Sequence, residues 1–249
     1  MSNFWLLEAI RTAILAGSAW VLGILVLRYG VKVNYTRKVM HFILFFSPMM
    51  IAPYLPYAPD LTTVLLSGVV FIATILSMAA PIRNRIGFAR VAFAAMDRPE
   101  DRPFTLLWVL TQALATYAVL IGMLIWLGSY DRTNLIYITV LVSGIGDGLA
   151  EPVGVRFGRH HYTTRALFTN RRYTRSLEGS ACVFLSGILA CILLRGELST
   201  PEFWIAMALI PIAMTLAEAL SPHTWDGPFL YLVGGASTVA ILELAALYG

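Results

Sequence analysis

Residues 103–130 read PFTLLWVLTQALATYAVLIGMLIWLGSY, twenty-eight consecutive positions without a charged side chain. Crossing the hydrocarbon core of a bilayer takes about 20 residues of apolar helix, and this run exceeds that length. The same signal continues outward in both directions. Uncharged stretches also cover Thr12–Leu27, Phe42–Pro59, Leu61–Ile82, Thr133–Gly146, Gly179–Leu194, Phe203–Ala217 and Gly227–Leu242, eight runs in all. The shorter ones are completed by flanking residues that snorkel or pair. Composition agrees: the chain is 58% hydrophobic and 13% charged, where soluble domains carry roughly 25% charge. A water-soluble globule is excluded.

None of the runs alternates as a membrane β-strand does, and only helices satisfy their backbone polar groups within one segment. The expectation is therefore an all-α polytopic transmembrane bundle of about eight spans, a single integral membrane domain over residues 1–249. Met1 to Phe4 lacks a basic leader region, and the apolar stretch runs well past Ala16-Gly17-Ser18-Ala19. The first helix is thus expected to be retained rather than cleaved as a signal peptide. Cys182 and Cys191 sit nine residues apart in one span, which puts them on opposite helix faces. Neither a disulfide nor a thiolate metal pair is expected.

With eight spans the loops alternate sides, and fifteen of the eighteen Lys and Arg residues fall on one of them. These are Arg28 to Lys38, then Arg83 to Arg102, then Arg156 to Arg175; Arg132 and Arg195 face the other side, and Arg11 lies within the first span. The positive-inside rule makes the crowded side cytosolic and sets both termini outside the cytosol. In the connection Pro81 to Arg102, Ile82, Ile86 and Phe93 lie near one helical face. That pattern fits an interfacial helix or a plain solvated connector equally. Leu149-Ala150-Glu151 recurs as Leu216-Ala217-Glu218, too short a match to establish a repeat.

The chemistry concentrates at the end of the fifth span, Ser143-Gly144-Ile145-Gly146-Asp147-Gly148-Leu149-Ala150-Glu151-Pro152-Val153-Gly154-Val155-Arg156-Phe157-Gly158. Asp147 and Glu151 are four apart and share a helix face. Carboxylates within a span are costly unless they meet a partner or water. Gly144, Gly146, Gly148 and Gly154 allow close backbone approach, while Pro152 frees the carbonyl of Gly148. In the plainer alternative the glycines serve helix packing and the acids pair with arginines. Six arginines follow, Arg156, Arg159, Arg165, Arg171, Arg172 and Arg175, interleaved with Phe157, Tyr162, Phe168 and Tyr173, before Ser176-Leu177-Glu178-Gly179-Ser180. Guanidinium forks suit phosphate oxygens, and aromatic rings can stack a nucleobase. Topological anchoring and attraction to anionic lipid explain the positive charge but not the acids beside it. Phosphate together with Mg²⁺ accounts for both signs. Nucleic-acid binding is disfavoured, because no basic domain stands clear of the bilayer. His160 and His161 are adjacent and lack ligand spacing. Glu8 and Arg11 read as an intrahelical pair, and Glu243 has no assigned partner.

Gly146-Asp147-Gly148-Leu149-Ala150-Glu151-Pro152-Val153-Gly154, Arg156-Phe157-Gly158 and Arg175-Ser176 followed by Glu178-Gly179-Ser180 resemble the polyprenol, phytol and dolichol kinases. That family is related to the membrane phosphatidate cytidylyltransferases. The likeness covers residues 144–180, the expected catalytic segment. Arg37-Lys38 with His41 looks like the family's Arg-Lys-x-x-His element, and Glu218 with Asp226 like its C-terminal acidic element. Arg175 stands where the family usually has Lys, Glu151 where Asp is common, and Gly227 where Asn commonly follows the last acid.

The resemblance implies a lipid-alcohol kinase that moves the γ-phosphoryl group of CTP, or a related nucleotide, onto a prenol or similar hydroxyl. Asp147 and Glu151 would bind Mg²⁺, and one of them or Glu178 would take the hydroxyl proton. Gly146, Gly148, Arg156, Arg159, Arg171, Arg172, Arg175 and Ser176 would hold the nucleotide phosphates, with Arg37, Lys38 and His41 contributing. Glu218 and Asp226 are further candidates. The expected setting is a bacterial inner membrane with the site facing the cytosol. Two other readings stay open. A cytidylyltransferase would use the same groups with attack at the α-phosphate, although the long C-terminal signature of CDP-diacylglycerol synthases is missing. An ion-coupled transporter would use Asp147 and Glu151 at a broken helix, near the bilayer midplane and with an internal repeat.

Overall fold

Helices form along the uncharged runs, three of them opened by a side-chain cap (Asp60, Ser176 and Ser199), in the computed structural model, which describes residues 2–57, 60–167 and 169–247. The architecture is all-α with a single small hairpin. In chain order come α1 (Ser2–Tyr29), α2 (Val33–Ile51), α3 (Leu61–Leu76), α4 (Ala80–Arg83), α5 (Gly87–Ala94), α6 (Thr105–Gly128) and α7 (Ile136–Leu141). A π-helical segment, Val142–Asp147, then leads into α8 (Gly148–Phe157), β1 (His161–Arg165), β2 (Arg172–Ser176), α9 (Leu177–Leu193), α10 (Thr200–Leu220) and α11 (Asp226–Ala246).

Among the described residues, five helical stretches are long and apolar enough to cross a membrane: Ser2–Tyr29, Thr105–Gly128, Thr133–Phe157, Thr200–Leu220 and Asp226–Ala246. This is compatible with an integral membrane protein. Leu61–Leu76 and Leu177–Leu193 are apolar but shorter, and α2 carries Arg37, Lys38 and His41 within its length. Tyr248 and Gly249, at the C-terminus, lie outside the described residues.

The helices form two compact units, Met1–Leu114 and Ala115–Gly249, with the boundary inside α6. In the first, α1 packs on α2, α3 and α5. Asp60 opens α3 with a capping box: its carboxylate accepts from the Thr63 amide at 2.7 Å while the Thr63 hydroxyl accepts from the Asp60 amide at 2.9 Å. Such a cap contributes about 1 kcal/mol. Glu8 and Arg11 pair within α1, and both are buried. Ser67 of α3 completes the cluster, accepting from Arg11 at 3.0 Å and donating to Glu8 at 2.8 Å. The connection from Pro81 to Arg102 folds into α4, α5 and a 3₁₀ turn, Pro99–Asp101. Its apolar face divides: Phe93 is buried under the Arg83 guanidinium, 4.0 Å from the ring centre, whereas Ile82 and Ile86 are exposed.

The second unit has two polar ends. At one, Arg132 pairs with Glu202 at 3.2 Å, and Tyr130 donates to Glu243 near the end of α11. Ser199 and Glu202 form the capping box that starts α10 there. At the other end gather the hairpin, the start of α9, the end of α10 and the start of α11. Between the ends, α9 packs on α8 and on α10, and α10 on α11. Cys182 and Cys191 are both free thiols.

Candidate functional site

The fifth apolar run does not form a uniform helix. Its residues Val142–Asp147 take π-helical geometry, and Asp147, 8% exposed, closes that segment where α8 begins. Single π turns inside helices are frequent at functional sites, where the widened turn moves a side chain away from the regular helical register. Two glycines explain how α9 reaches this point. A side chain at Gly146 would run into Ser186 and the backbone of Val183, and one at Gly179 would lie 2.6 Å from the Ala150 carbonyl oxygen. The packing of these glycines and the placing of the acids are therefore one arrangement: close helices bring the polar residues together.

The arginine-rich segment, read from sequence as a loop, is an antiparallel hairpin pairing His161 with Ser176, Tyr162 with Arg175, Thr163 with Thr174, Thr164 with Tyr173 and Arg165 with Arg172. Strand alternation sorts the side chains into two faces. Tyr162, Thr164, Tyr173 and Arg175 face inward and are buried or half-buried, whereas Arg165, Arg172 and Thr174 are exposed. Arg165 and Arg172 sit directly opposite each other, a like-charge pairing that costs about 0.2–1 kcal/mol unless an anion lies between them. Arg156, Arg159 and Arg171 are exposed as well. Phe157 is exposed beside Arg156, and Phe168 lies outside the described residues.

The hairpin is fastened to the loop between α10 and α11. His223 donates its amide to the Arg165 carbonyl at 2.9 Å, and its ring stacks on Tyr173 with 3.5 Å between ring centres. Tyr173 is thereby committed to His223. Below this contact Arg175 donates to Glu218 Oε1 at 2.9 Å, to the Glu218 carbonyl, and to Ser221 Oγ at 3.3 Å. Ser180 Oγ donates to Glu218 Oε2 at 3.2 Å and meets the Tyr162 hydroxyl at 2.7 Å. Burial by itself would lower the Arg175 pKa. The negative charges of Glu218 and Asp226, with Tyr162 and Asp147 behind them, outweigh that and hold it above its ordinary value. The Arg175 guanidinium is thus paired with Glu218 and lies within the fields of Asp226 and Asp147.

Ser176 caps α9, accepting from the Gly179 amide at 3.1 Å. In the first turn of α9, Glu178 meets the His160 ring at 2.8 Å. Glu151 is half-buried on α8, Gly148 is buried at its start, and Glu218 and Asp226 are 5% and 7% exposed. In the first unit, Arg37 lies 3.7 Å from Asp101, Lys38 is buried, and the His41 ring packs against Phe45 with 4.6 Å between centres.

No family model, curated protein or solved structure matches the chain. Among the described residues no three of His, Cys, Asp and Glu come together as a metal-binding group. Mg²⁺ asks less of a protein: one or two carboxylates suffice where substrate phosphates and waters fill the remaining positions. Asp147 and Glu151, hard oxygen donors one turn apart at the end of the π segment, fit that requirement.

Ser221 and His223 of this end are not marked by the sequence, which offers Tyr162 only as a stacking ring and Ser180 only within the Glu178-Gly179-Ser180 motif. A local signal existed for the hairpin: His161-Tyr162-Thr163-Thr164-Arg165 and Arg172-Tyr173-Thr174-Arg175-Ser176 are aromatic and β-branched runs around a short connection. For Ser221 and His223 there was none, since their roles depend on contacts made across more than forty residues.

Proposed function

We propose that the chain is a lipid-alcohol kinase that transfers the γ-phosphoryl group of CTP to the hydroxyl of a prenol or similar membrane lipid. One observation carries the reading: Arg175, half-buried and paired with Glu218 at 2.9 Å, also feels the charges of Asp226 and of Asp147 at the end of the π segment, and the hairpin that carries it has an exposed face of arginines. Phosphoryl transfer depends on positioning and charge neutralisation more than on covalent chemistry, and these are what the two kinds of residue supply. The resemblance of residues 144–180 to the polyprenol and dolichol kinases points the same way.

In this mechanism Arg156, Arg159, Arg165, Arg171 and Arg172 hold phosphate oxygens, and Arg165 opposite Arg172 gains most from an anion between them. Asp147 and Glu151 hold Mg²⁺, which when bound offsets the charge of the phosphates. The lipid oxygen bonds to the γ-phosphorus as the bond to the β–γ bridging oxygen breaks, and CDP leaves. The hydroxyl proton passes to Asp147, Glu151 or Glu178. Arg175 acts inside the protein, positioning Glu218 and the acids around it.

The topology proposed with this function has eight spans, formed by α1, α2, α3, α6, the α7–α8 stretch, α9, α10 and α11, with both termini outside the cytosol. The basic connections then lie in the cytosol, most simply at a bacterial inner membrane. Supporting it, the links near Arg132 and Glu202 share one end of the second unit while the hairpin and the α10–α11 loop share the other.

The test is the label position. Purified protein given CTP and Mg²⁺ transfers label from the γ-phosphate, and not the α-phosphate, to a lipid alcohol. Label arriving from the α-phosphate with release of pyrophosphate overturns the kinase in favour of a CDP-lipid synthase. Failure of both labels, with solute uptake that depends on Asp147 and an ion gradient, establishes a transporter.

A further inference from the structure

Trp20 of α1 and Phe88 of α5 stack with 6.3 Å between ring centres and 9° between ring planes, and both are exposed, at 40% and 48%. They form one apolar patch, so whatever covers Trp20 covers Phe88 as well. α1 is long and apolar enough to cross a membrane. Trp20 stands eight residues before Arg28, about 12 Å further in along the helix. Half the hydrocarbon thickness is only about 15 Å. With the Arg28 guanidinium at the headgroups, Phe88 lies among acyl chains and not in water.

The contacts around α5 hold it at that depth. A side chain at Gly23 of α1 would lie 1.9 Å from the Val91 carbonyl oxygen, so the two helices meet backbone to backbone. Thr36, in the first turn of α2, donates to the Ala95 carbonyl at 2.7 Å. α5 therefore runs beside the last turns of α1, from Trp20 toward α2. The break between α4 and α5 is closed by internal hydrogen bonds, as a water-free setting requires. The amides of Arg85 and Ile86 donate to the Ile82 carbonyl at 3.0 and 2.8 Å, and the Arg90 guanidinium covers the carbonyls of Arg83 and Asn84 at 3.4 and 2.9 Å. Arg83 lies over the Phe93 ring. Both of these arginines are thus engaged within the protein. Arg85 is exposed and, among the described residues, forms no side-chain bond or ion pair. Ile82 and Ile86 beside it are exposed too, and residues 77–96 hold three arginines and no acid.

We propose that the α4–α5 segment is seated in the leaflet at the C-terminal end of α1 and holds anionic phospholipid there, with Ile82, Ile86 and Phe88 against the acyl chains and the Arg85 guanidinium on a headgroup phosphate. A long arginine reaches from acyl depth to the headgroups. Each basic side chain near an anionic surface strengthens attachment about fivefold, and three of them without an acid favour anionic over zwitterionic lipid. The segment is then neither a span nor a solvated connector but an anchor laid against the first helix.

The experiment places bimane on Ile86→Cys in full-length protein whose Cys182 and Cys191 are replaced by alanine, reconstituted in phosphatidylcholine vesicles. Acyl-chain bromine quenches the fluorophore and aqueous iodide does not. Brominated phosphatidylglycerol quenches as a lipid bound about fivefold more tightly than brominated phosphatidylcholine, and Arg85→Gln brings that ratio close to one. Quenching by iodide alone makes the segment a solvated connector and overturns the proposal. Quenching by neither means that protein, such as a second copy of the chain, covers the patch, which overturns it too. Equal quenching by the two lipids, or a preference that Arg85→Gln leaves intact, overturns the headgroup contact and the proposal with it. Unsubstituted protein gives a check free of any folding defect: phosphatidylglycerol bearing an acyl-chain diazirine cross-links within residues 82–88, and the absence of cross-links there overturns the proposal whatever the variants do.

Discussion

Each of the two units buries an arginine against carboxylate, and the two clusters differ in kind. In the first unit Arg11 meets Glu8 one turn away on its own helix, with Ser67 of α3 bonded to both. In the second unit Arg175, on a hairpin, pairs with Glu218 from α10 and lies within the fields of Asp226 from α11 and Asp147 from the π segment. The first is a one-to-one pair that ties two helices together and involves no backbone irregularity. The second draws on four separate elements and sits beside the π turn and the arginine-lined hairpin. A fastening needs only a balanced pair, whereas a site needs charges of both signs held where a substrate can reach them.

The sharpest way to break this contrast is at Asp147. Asp147→Asn keeps the shape and removes the charge, so phosphoryl transfer is expected to fall by about 10²–10³-fold, the usual scale for one electrostatic group at a reacting centre, while the thermal unfolding midpoint stays nearly unchanged. A folded Asp147→Asn protein that turns over normally would reduce the second cluster to a fastening like the first. Arg175→Ala comes next. It leaves Glu218 buried without its partner, a loss of about 3–5 kcal/mol, read as a lower unfolding midpoint in detergent. Arg175→Lys should recover much of it, since Lys supplies the charge but not the fork. If Arg175→Ala instead folds normally and only the nucleotide KM rises, Arg175 is a phosphate ligand and not a hub.

The exposed face of the hairpin gives a smaller effect with two signs. Arg172→Ala removes one of two opposed like charges, so stability should rise by about 0.2–1 kcal/mol while the KM for CTP rises roughly fivefold from the lost charge-assisted contact. Stability and affinity moving in opposite directions is what distinguishes an anion site from a salt-bridged surface. Arg172→Ala that lowers both would place Arg172 in an internal pair.

How much of this could be read beforehand depended on the range of the interaction. The long spans followed from uncharged runs, because each helix satisfies its own backbone. The Glu8–Arg11 pair was visible from its spacing of three, but Ser67, which ties it to α3, was not. Asp147 and Glu151 stood out as acids in an apolar run, yet the π turn that presents Asp147 had only the glycines of Gly144 and Gly146 as a hint. The hairpin was read as a loop because its alternation is arginine-rich on one face rather than apolar on one face. Docking onto Ser221 and His223 supplies the packing that its own sequence lacks. Long-range contacts of that kind leave no local pattern.

The smallest effect expected is also the most direct test of what the first cluster is. Either Glu8 or Arg11 replaced alone strands the other charge in the interior, but replacing both removes the desolvation cost along with the attraction. The double substitution Glu8→Leu with Arg11→Met leaves Ser67 to bond within its own helix, as Thr74 does with the Val70 carbonyl at 2.8 Å. Stability should then change by no more than about 1 kcal/mol, because a buried ion pair and a well-packed apolar pair of similar volume are close in free energy. Turnover and both KM values should match the unsubstituted protein. A double variant that folds with an unchanged unfolding midpoint yet loses phosphoryl transfer would mean that Glu8 and Arg11 serve the reaction. The first unit would then hold a working centre of its own, and the division between a fastened pair and the proposed catalytic cluster would fail.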